Sequence, residues 1–218
     1  MKKTVCLIVL LCCIKFLQAQ TDALQAGQVY SSSFTIDGIA RNITYYMPAN
    51  YGKKDAYGLI VFLHAANSSA KNFIKTYGDI ISAKADSADC IIMYPDAVAG
   101  KWDDGLSKFS LKDSVNDAGF VGIMIDYFVQ VYHTDPKRVF VAGIENGGFM
   151  AERCACNISA KISAFAALKN EDDRIKSCSY ASVIAAMDTK NISLTLLQKL
   201  DRNTLYDVID FLLAHPRN

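Results

Sequence analysis

The sequence predicts an α/β protein: a mainly parallel sheet with an N-terminal antiparallel hairpin and helices on both faces. Three observations predict it. Ser31 to Ile36 and Ile43 to Met47 alternate polar and apolar residues on either side of Asp37-Gly38, a hairpin signal. Beyond them, continuous apolar runs alternate with segments of helical period, as in a sheet covered on both faces. One run, Arg138-Val139-Phe140-Val141-Ala142, leads into Gly143-Ile144-Glu145-Asn146-Gly147-Gly148 and then a helical segment, Phe149 to Cys156. Strand, glycine-rich corner and helix follow one another there.

The elements follow in order. Leu59 to Leu63 is apolar throughout, as a central parallel strand is. Ala70 to Lys84 has helical periodicity. Cys90 to Tyr94 is the next buried strand, ended by Pro95-Asp96. Residues 97–115 form a loop that contains Trp102-Asp103-Asp104-Gly105. Val121 to Tyr132 reads as a deeply packed helix, because more than one of its faces is apolar. After the strand Val139 to Ala142 and its corner come two further strands, Ile162 to Leu168 and Ser182 to Met187. Leu205 to Leu213 is an amphipathic closing helix.

Residues 1–20 have the form of a secretory signal. Lys2 and Lys3 precede an apolar run, Thr4 to Ile14, which is too short to span a bilayer. Leu17-Gln18-Ala19 ends on a small residue suited to cleavage. The expectation is one domain, residues 21–218, secreted or periplasmic, with no membrane association once the signal is removed. Loss of Lys2, Lys3 and Lys15 leaves 20 basic against 22 acidic side chains, a net charge of −2. No basic stripe is present, so nucleic acid is not an expected partner. Four cysteines follow the signal: Cys90, Cys154, Cys156 and Cys178. Export permits disulfides, and four thiols allow three pairings. Cys90 lies in an apolar run and reads as a buried thiol; Cys156 with Cys178 is the candidate disulfide. With three histidines and no paired cysteines at metal spacing, neither a metal nor a cofactor is expected.

The ordered motifs resemble the secreted esterase family that includes polyhydroxybutyrate depolymerases and feruloyl esterases. Arg41-Asn42-Ile43-Thr44-Tyr45-Tyr46-Met47-Pro48 resembles the family's opening strand, and Leu63-His64 its oxyanion loop. Tyr94-Pro95-Asp96 and Trp102-Asp103-Asp104-Gly105 are similar to its Y-P and W-x-D-G segments. Asn116-Asp117-Ala118-Gly119-Phe120 resembles D-D-V-G-F, and Tyr132 to Val139 resembles Y-x-x-D-x-x-R-V. Gly143 to Ala151 resembles G-x-S-N-G-G-x-M-A, and Phe211 to Pro216 the last helix. The cover runs from about residue 28 to 168, plus that helix. The resemblance implies an α/β-hydrolase-like fold, ester hydrolysis by a Ser-His-Asp triad, and backbone oxyanion donors at Ala65 and Asn146, with His64 and Trp102 beside them.

The departures bear on the chemistry. Glu145 stands at the nucleophile's place. Ala65 and Ala66 follow His64 where the family has glycine. Asn191, in Asp188-Thr189-Lys190-Asn191, is the match for the triad acid, and it is an amide. The triad histidine segment is missing, so the fold is expected to be truncated near the C-terminus. The reading that follows is a secreted homologue of these ester hydrolases that is catalytically impaired or inactive. It would retain a cleft for a small ester, an aryl group or a polysaccharide. The alternatives are an active carboxylic ester hydrolase with an unusual nucleophile and a non-catalytic ester- or polysaccharide-binding protein.

The remaining residues carry plainer readings. His64 is expected to be structural, His133 to lie on the far side from the corner, and His215 to end a helix, where a cation complements the dipole. Trp102 reads equally as a pocket wall or a core anchor. Asp103 and Asp104 read as loop-positioning groups in preference to metal ligands.

Overall fold

A computed structural model describes residues 24–105, 115–168 and 202–217. Ser182 to Met187, Cys178 and Asn191 lie outside the described residues. The hairpin is β1, Val29–Ile36, and β2, Ile39–Tyr46. Asp37 and Gly38 both have positive φ, 52° and 76°. A two-residue turn of this kind matches the right-handed twist of the strands it joins. The hairpin starts earlier than the alternation alone predicts, at Val29.

The other strands are β3, Tyr57–Leu63, β4, Cys90–Pro95, β5, Thr134–Ile144, and β6, Ala164–Leu168. The six lie in the order β1-β2-β4-β3-β5-β6. The first two are antiparallel to each other, and β2 is antiparallel to β4; β3, β4, β5 and β6 are parallel. The strand before the corner is longer than its apolar core suggests. Its polar lead-in pairs only at Tyr57↔Thr134, across an irregularity, before regular pairing starts at Leu59↔Val139.

The helices are α1, Ala70–Ala88, α2, Asp117–Val131, α3, Asn146–Asn157, and α4, Arg202–Leu213. Ser69 caps α1, its Oγ accepting from the Asn72 N–H at 3.2 Å. Asn116 caps α2 by accepting from the Gly119 N–H at 2.8 Å. Such caps satisfy donors that the helix itself leaves unpaired.

Successive residues of the central strands serve two cores. Leu59, Val61 and Leu63 pack with Phe120, Phe128 and Met150 of α2 and α3. Ile60 and Phe62 pack with Phe73, Ile81, Leu205 and Leu212 of α1 and α4. This period of two explains why an unbroken apolar run was needed in β3. The chain goes from β3 to β4 on one side and from β4 to β5 back past β3 on the other. That reversal is a topological switch, and it brings the loops after β3, β4 and β5 together at the carboxyl edge of the sheet.

Candidate functional site

Glu145 sits between the end of β5 and the start of α3, with φ 52° and ψ −116°. Positive φ on a non-glycine residue with a Cβ is strained, by about 1–3 kcal/mol. The corner is held from both sides. The Glu145 N–H donates to the Leu168 carbonyl at 2.6 Å, and the Glu145 carbonyl accepts from the Phe149 N–H at 3.1 Å. The side chain itself is exposed.

Two glycines make the corner possible by contact rather than by φ. A Cβ on Gly143 would lie 1.9 Å from the Gly147 carbonyl oxygen. A Cβ on Gly147 would lie 2.2 Å from the Leu63 oxygen and 2.5 Å from that of His64. Real Cβ contacts are never so short, so strand, corner and helix touch here backbone to backbone. This is the geometry of a nucleophile elbow with glutamate at its tip.

The loop after β3, expected from the resemblance to be the oxyanion loop, lies alongside, because Leu63 pairs with Gly143. Ala65, Ser68, Asn72, Phe73, Ile144 and Glu145 line a shallow cleft of about 310 Å³. Ala65 and Glu145, two of the expected site residues, therefore meet in it. The other expected residues lie beneath. Trp102 is fully buried. Its indole N–H donates to the His64 carbonyl at 2.8 Å, and its ring lies 5.1 Å from the imidazole. It is therefore a core anchor that braces the loop after β3, and the pocket-wall reading is corrected. Asn146, expected as a backbone donor, has a buried side chain: it accepts from the Trp102 N–H at 2.8 Å and donates to the buried Asp104 carboxylate.

His64 is buried and its ring is spoken for on both sides. Nδ1–H donates to the Ala65 carbonyl at 2.8 Å, and Nε2 accepts from the Ala97 N–H at 3.1 Å. This pattern fixes the neutral tautomer. Burial, the largest influence, pushes its pKa down, against the Ala65 hydrogen bond and the charges of Asp96 and Asp117. A ring so placed has no free nitrogen to take a proton from a nucleophile. His133 lies at the opposite end of the sheet, just before β5, with φ 53°. His215 donates from Nδ1 to the Phe211 carbonyl at 2.7 Å. Two residues on, the Arg217 N–H donates to the Lys137 carbonyl at the start of β5. At about 3.3 Å per strand residue, that end is about 26 Å from Glu145. These are all the histidines of the chain.

Of the supports beneath the site, Asp103 and Asp104 were expected as loop-positioning groups, whereas Arg41, Asp117 and Arg153 were not identified from the sequence. Arg41 Nη2 and Asp117 Oδ1 form a buried ion pair at 2.5 Å, and Arg41 lies over the Phe120 ring at 3.8 Å. The other Asp117 oxygen accepts from the Asp103 N–H at 2.7 Å, and the Asp103 side chain pairs with Arg153 at 2.8 Å. The one sequence signal was Arg41 as a charge within a strand that otherwise alternates. Cys90 and Cys154 are buried free thiols. The second partner of the expected Cys156–Cys178 bond lies outside the described residues. Among the described residues, no group of three His, Cys, Asp or Glu side chains is placed to hold a metal ion. No described helix is long and apolar enough to cross a membrane.

No family model and no curated protein matches the chain. Solved structures do. The feruloyl esterase module from Clostridium thermocellum complexed with sinapinate is similar at TM-score 0.58 and 14% identity, over 75% of this chain and 60% of that one. Acetyl xylan esterase from Aspergillus awamori is similar at TM-score 0.54 and 16% identity, over 74% of this chain and 66% of that one. A ferulic acid esterase is similar at TM-score 0.53 and 17% identity, over 66% and 60%. The chain thus spans about two thirds of the length of these neighbours, or somewhat less. At such identities the likeness establishes the fold, and the chain has the α/β-hydrolase-like fold of these esterases.

Proposed function

We propose that this chain is an exported member of the esterase-type α/β-hydrolases that does not hydrolyse esters by the serine route and keeps a cleft for a small ester, an aryl group or a polysaccharide. The observation that carries this is the exposed Glu145 at the elbow tip, with no imidazole able to serve it. Serine-type hydrolysis needs a nucleophile, a base in hydrogen-bond reach and oriented donors. Only the donors have candidates here, at Ala65 and Asn146. Asn191 as a substituted triad acid, a signal at residues 1–20 and a Cys156–Cys178 bond are parts of the same proposal. Peptide mapping of the exported protein without reduction tests the last two.

A second reading is favoured by one fact: the strained residue faces the cleft instead of solvent alone. In it, Glu145 attacks the ester carbonyl, the alcohol leaves, and water cleaves the resulting acyl anhydride. Hydrolysis of p-nitrophenyl acetate and butyrate decides between the two. The proposal expects no turnover above the uncatalysed rate, and no difference between the wild-type chain and Glu145→Gln. Turnover that Glu145→Gln abolishes would establish the second reading and defeat the first.

A further inference from the structure

Among the described residues, β1 is an edge strand, paired only with β2. Its backbone directions follow from the hydrogen bonds around it. The Met47 N–H donates to the Gln28 carbonyl, and the Asn42 carbonyl accepts from the Asp96 N–H on the other side. Alternation then directs Tyr30, Ser32, Phe34 and Ile36 toward β2. Val29, Ser31, Ser33 and Thr35 turn their N–H and C=O groups outward, to the open edge. Such an edge is a template for another strand, and proteins blunt it with lysine, proline or a bulge. None of these is present: β1 reads VYSSSFTI and pairs with β2 in one unbroken register.

Exposed apolar side chains lie on both faces of this edge. Among the described residues, four large hydrophobic side chains are exposed; Ile123 and Val131, at 46% each, lie on α2, and Val29, at 51%, projects from the opposite face of β1. Ile123, Tyr127 and Val131 form one line along α2 at four-residue spacing. Tyr127 meets Phe34 of β1 at a ring distance of 5.2 Å, which places that line beneath the edge strand.

We propose that this edge is the interface with a second copy of the chain, formed by antiparallel pairing of β1 with itself about a two-fold axis at Ser32. The choice of partner comes from self-complementarity. A two-fold axis normal to the sheet keeps faces matched, so paired residue numbers must have the same parity. Centred on Ser32, the outward residues pair as Val29 with Thr35 and Ser31 with Ser33, and every outward donor and acceptor of these four is used. Centred on Ser33, Val29 has no opposite within the strand. The Ser32 register also sets Tyr30 opposite Phe34, an aromatic cross-strand pair. No charge lies on the strand, so two copies meet without like-charge repulsion. Strand pairing alone is a small interface. The two α2 stripes, on the same side of the joined sheet, add the second layer that a stable dimer of about 1,200 Å² or more requires.

The test is the mass of the purified chain in solution by light scattering on a gel-filtration column, at about micromolar concentrations where interfaces of this size associate. The expected species is a dimer. Ser33→Pro removes an outward N–H and leaves the β1–β2 ladder intact; it should halve the mass with an unchanged far-ultraviolet circular dichroism spectrum. Ile123→Lys should act likewise from the helical layer. The register has its own readout. Ser32→Cys should cross-link to its copy without reductant, because directly opposed non-hydrogen-bonded residues are about 4.5 Å apart, within disulfide range. Ser33→Cys should cross-link far less. A wild-type monomer, or a dimer that survives both Ser33→Pro and Ile123→Lys, overturns the proposal. So does a dimer in which Ser32→Cys fails to cross-link.

Discussion

The Asn146 side chain accepts a hydrogen bond from the Trp102 N–H at 2.8 Å, so the first residue of the elbow helix also holds the loop that braces His64. The corner and the loop after β3 are thus one mechanical unit, joined through buried polar groups. In Asn146→Ala, the Trp102 N–H and the Asp104 carboxylate each lose a buried partner. We expect a loss of about 2–3 kcal/mol in urea unfolding, since a stranded buried polar group costs its desolvation. Trp102 is the only tryptophan, so its fluorescence should shift to the red as water reaches the loop.

Gly147→Ala puts a methyl group 2.2 Å from the Leu63 carbonyl oxygen. No side-chain rotation relieves a clash with backbone on a central strand. The expected cost is about 3 kcal/mol, read as a fall in Tm.

Glu145→Gly removes the Cβ that is strained at φ 52°. The gain, partly offset by the freedom of glycine in the unfolded chain, should be about 1 kcal/mol. A lower stability for this variant would mean that the glutamate side chain makes a compensating contact. Glu145→Ser keeps the strain and, without a free imidazole, should give no acyl-enzyme burst with p-nitrophenyl butyrate.

Asp117→Ala leaves Arg41 charged and buried. Breaking a buried ion pair from one side costs about 3–5 kcal/mol, whereas replacing both partners by apolar residues costs far less. The double variant Arg41→Met with Asp117→Leu should therefore be more stable than Asp117→Ala, as measured by denaturant midpoints.

His64 gives the fold a pH dependence. Burial lowers its pKa in the folded state below the ordinary value of 6.5. Between the lowered and ordinary values, the unfolded chain binds a proton that the folded one does not. Stability therefore falls as pH drops below about 6.5. His64→Asn should lessen the difference in unfolding free energy between about pH 7.5 and 5.5; an unchanged difference would place its origin in other groups.

Much of the fold was legible because its signals are local. The Asp37-Gly38 turn, the apolar run of β3 and the glycines after β5 each report on neighbours in the chain. Boundaries were less legible. The lead-in of β5, with Pro136 in it, pairs across an irregularity that no periodicity announces. The placement of Glu145 at the corner was legible, and the structure sets Ala65 beside it in one cleft. Trp102 was not: an isolated tryptophan in a polar loop has the same sequence signature whether it lines a cleft or anchors a core.

The sequence by itself determined the class of fold and the residue at the elbow tip, because alternation, turn chemistry and glycine spacing act over a few residues. The tertiary structure decided what surrounds that residue. The buried pair of Arg41 and Asp117 joins positions 76 apart, and the Trp102–Asn146 bond joins positions 44 apart. The neutral, doubly bonded state of His64 and the remoteness of His133 and His215 have the same origin. Sheet register and strand order bring distant backbone segments into contact, and neither is written in any local stretch of chain.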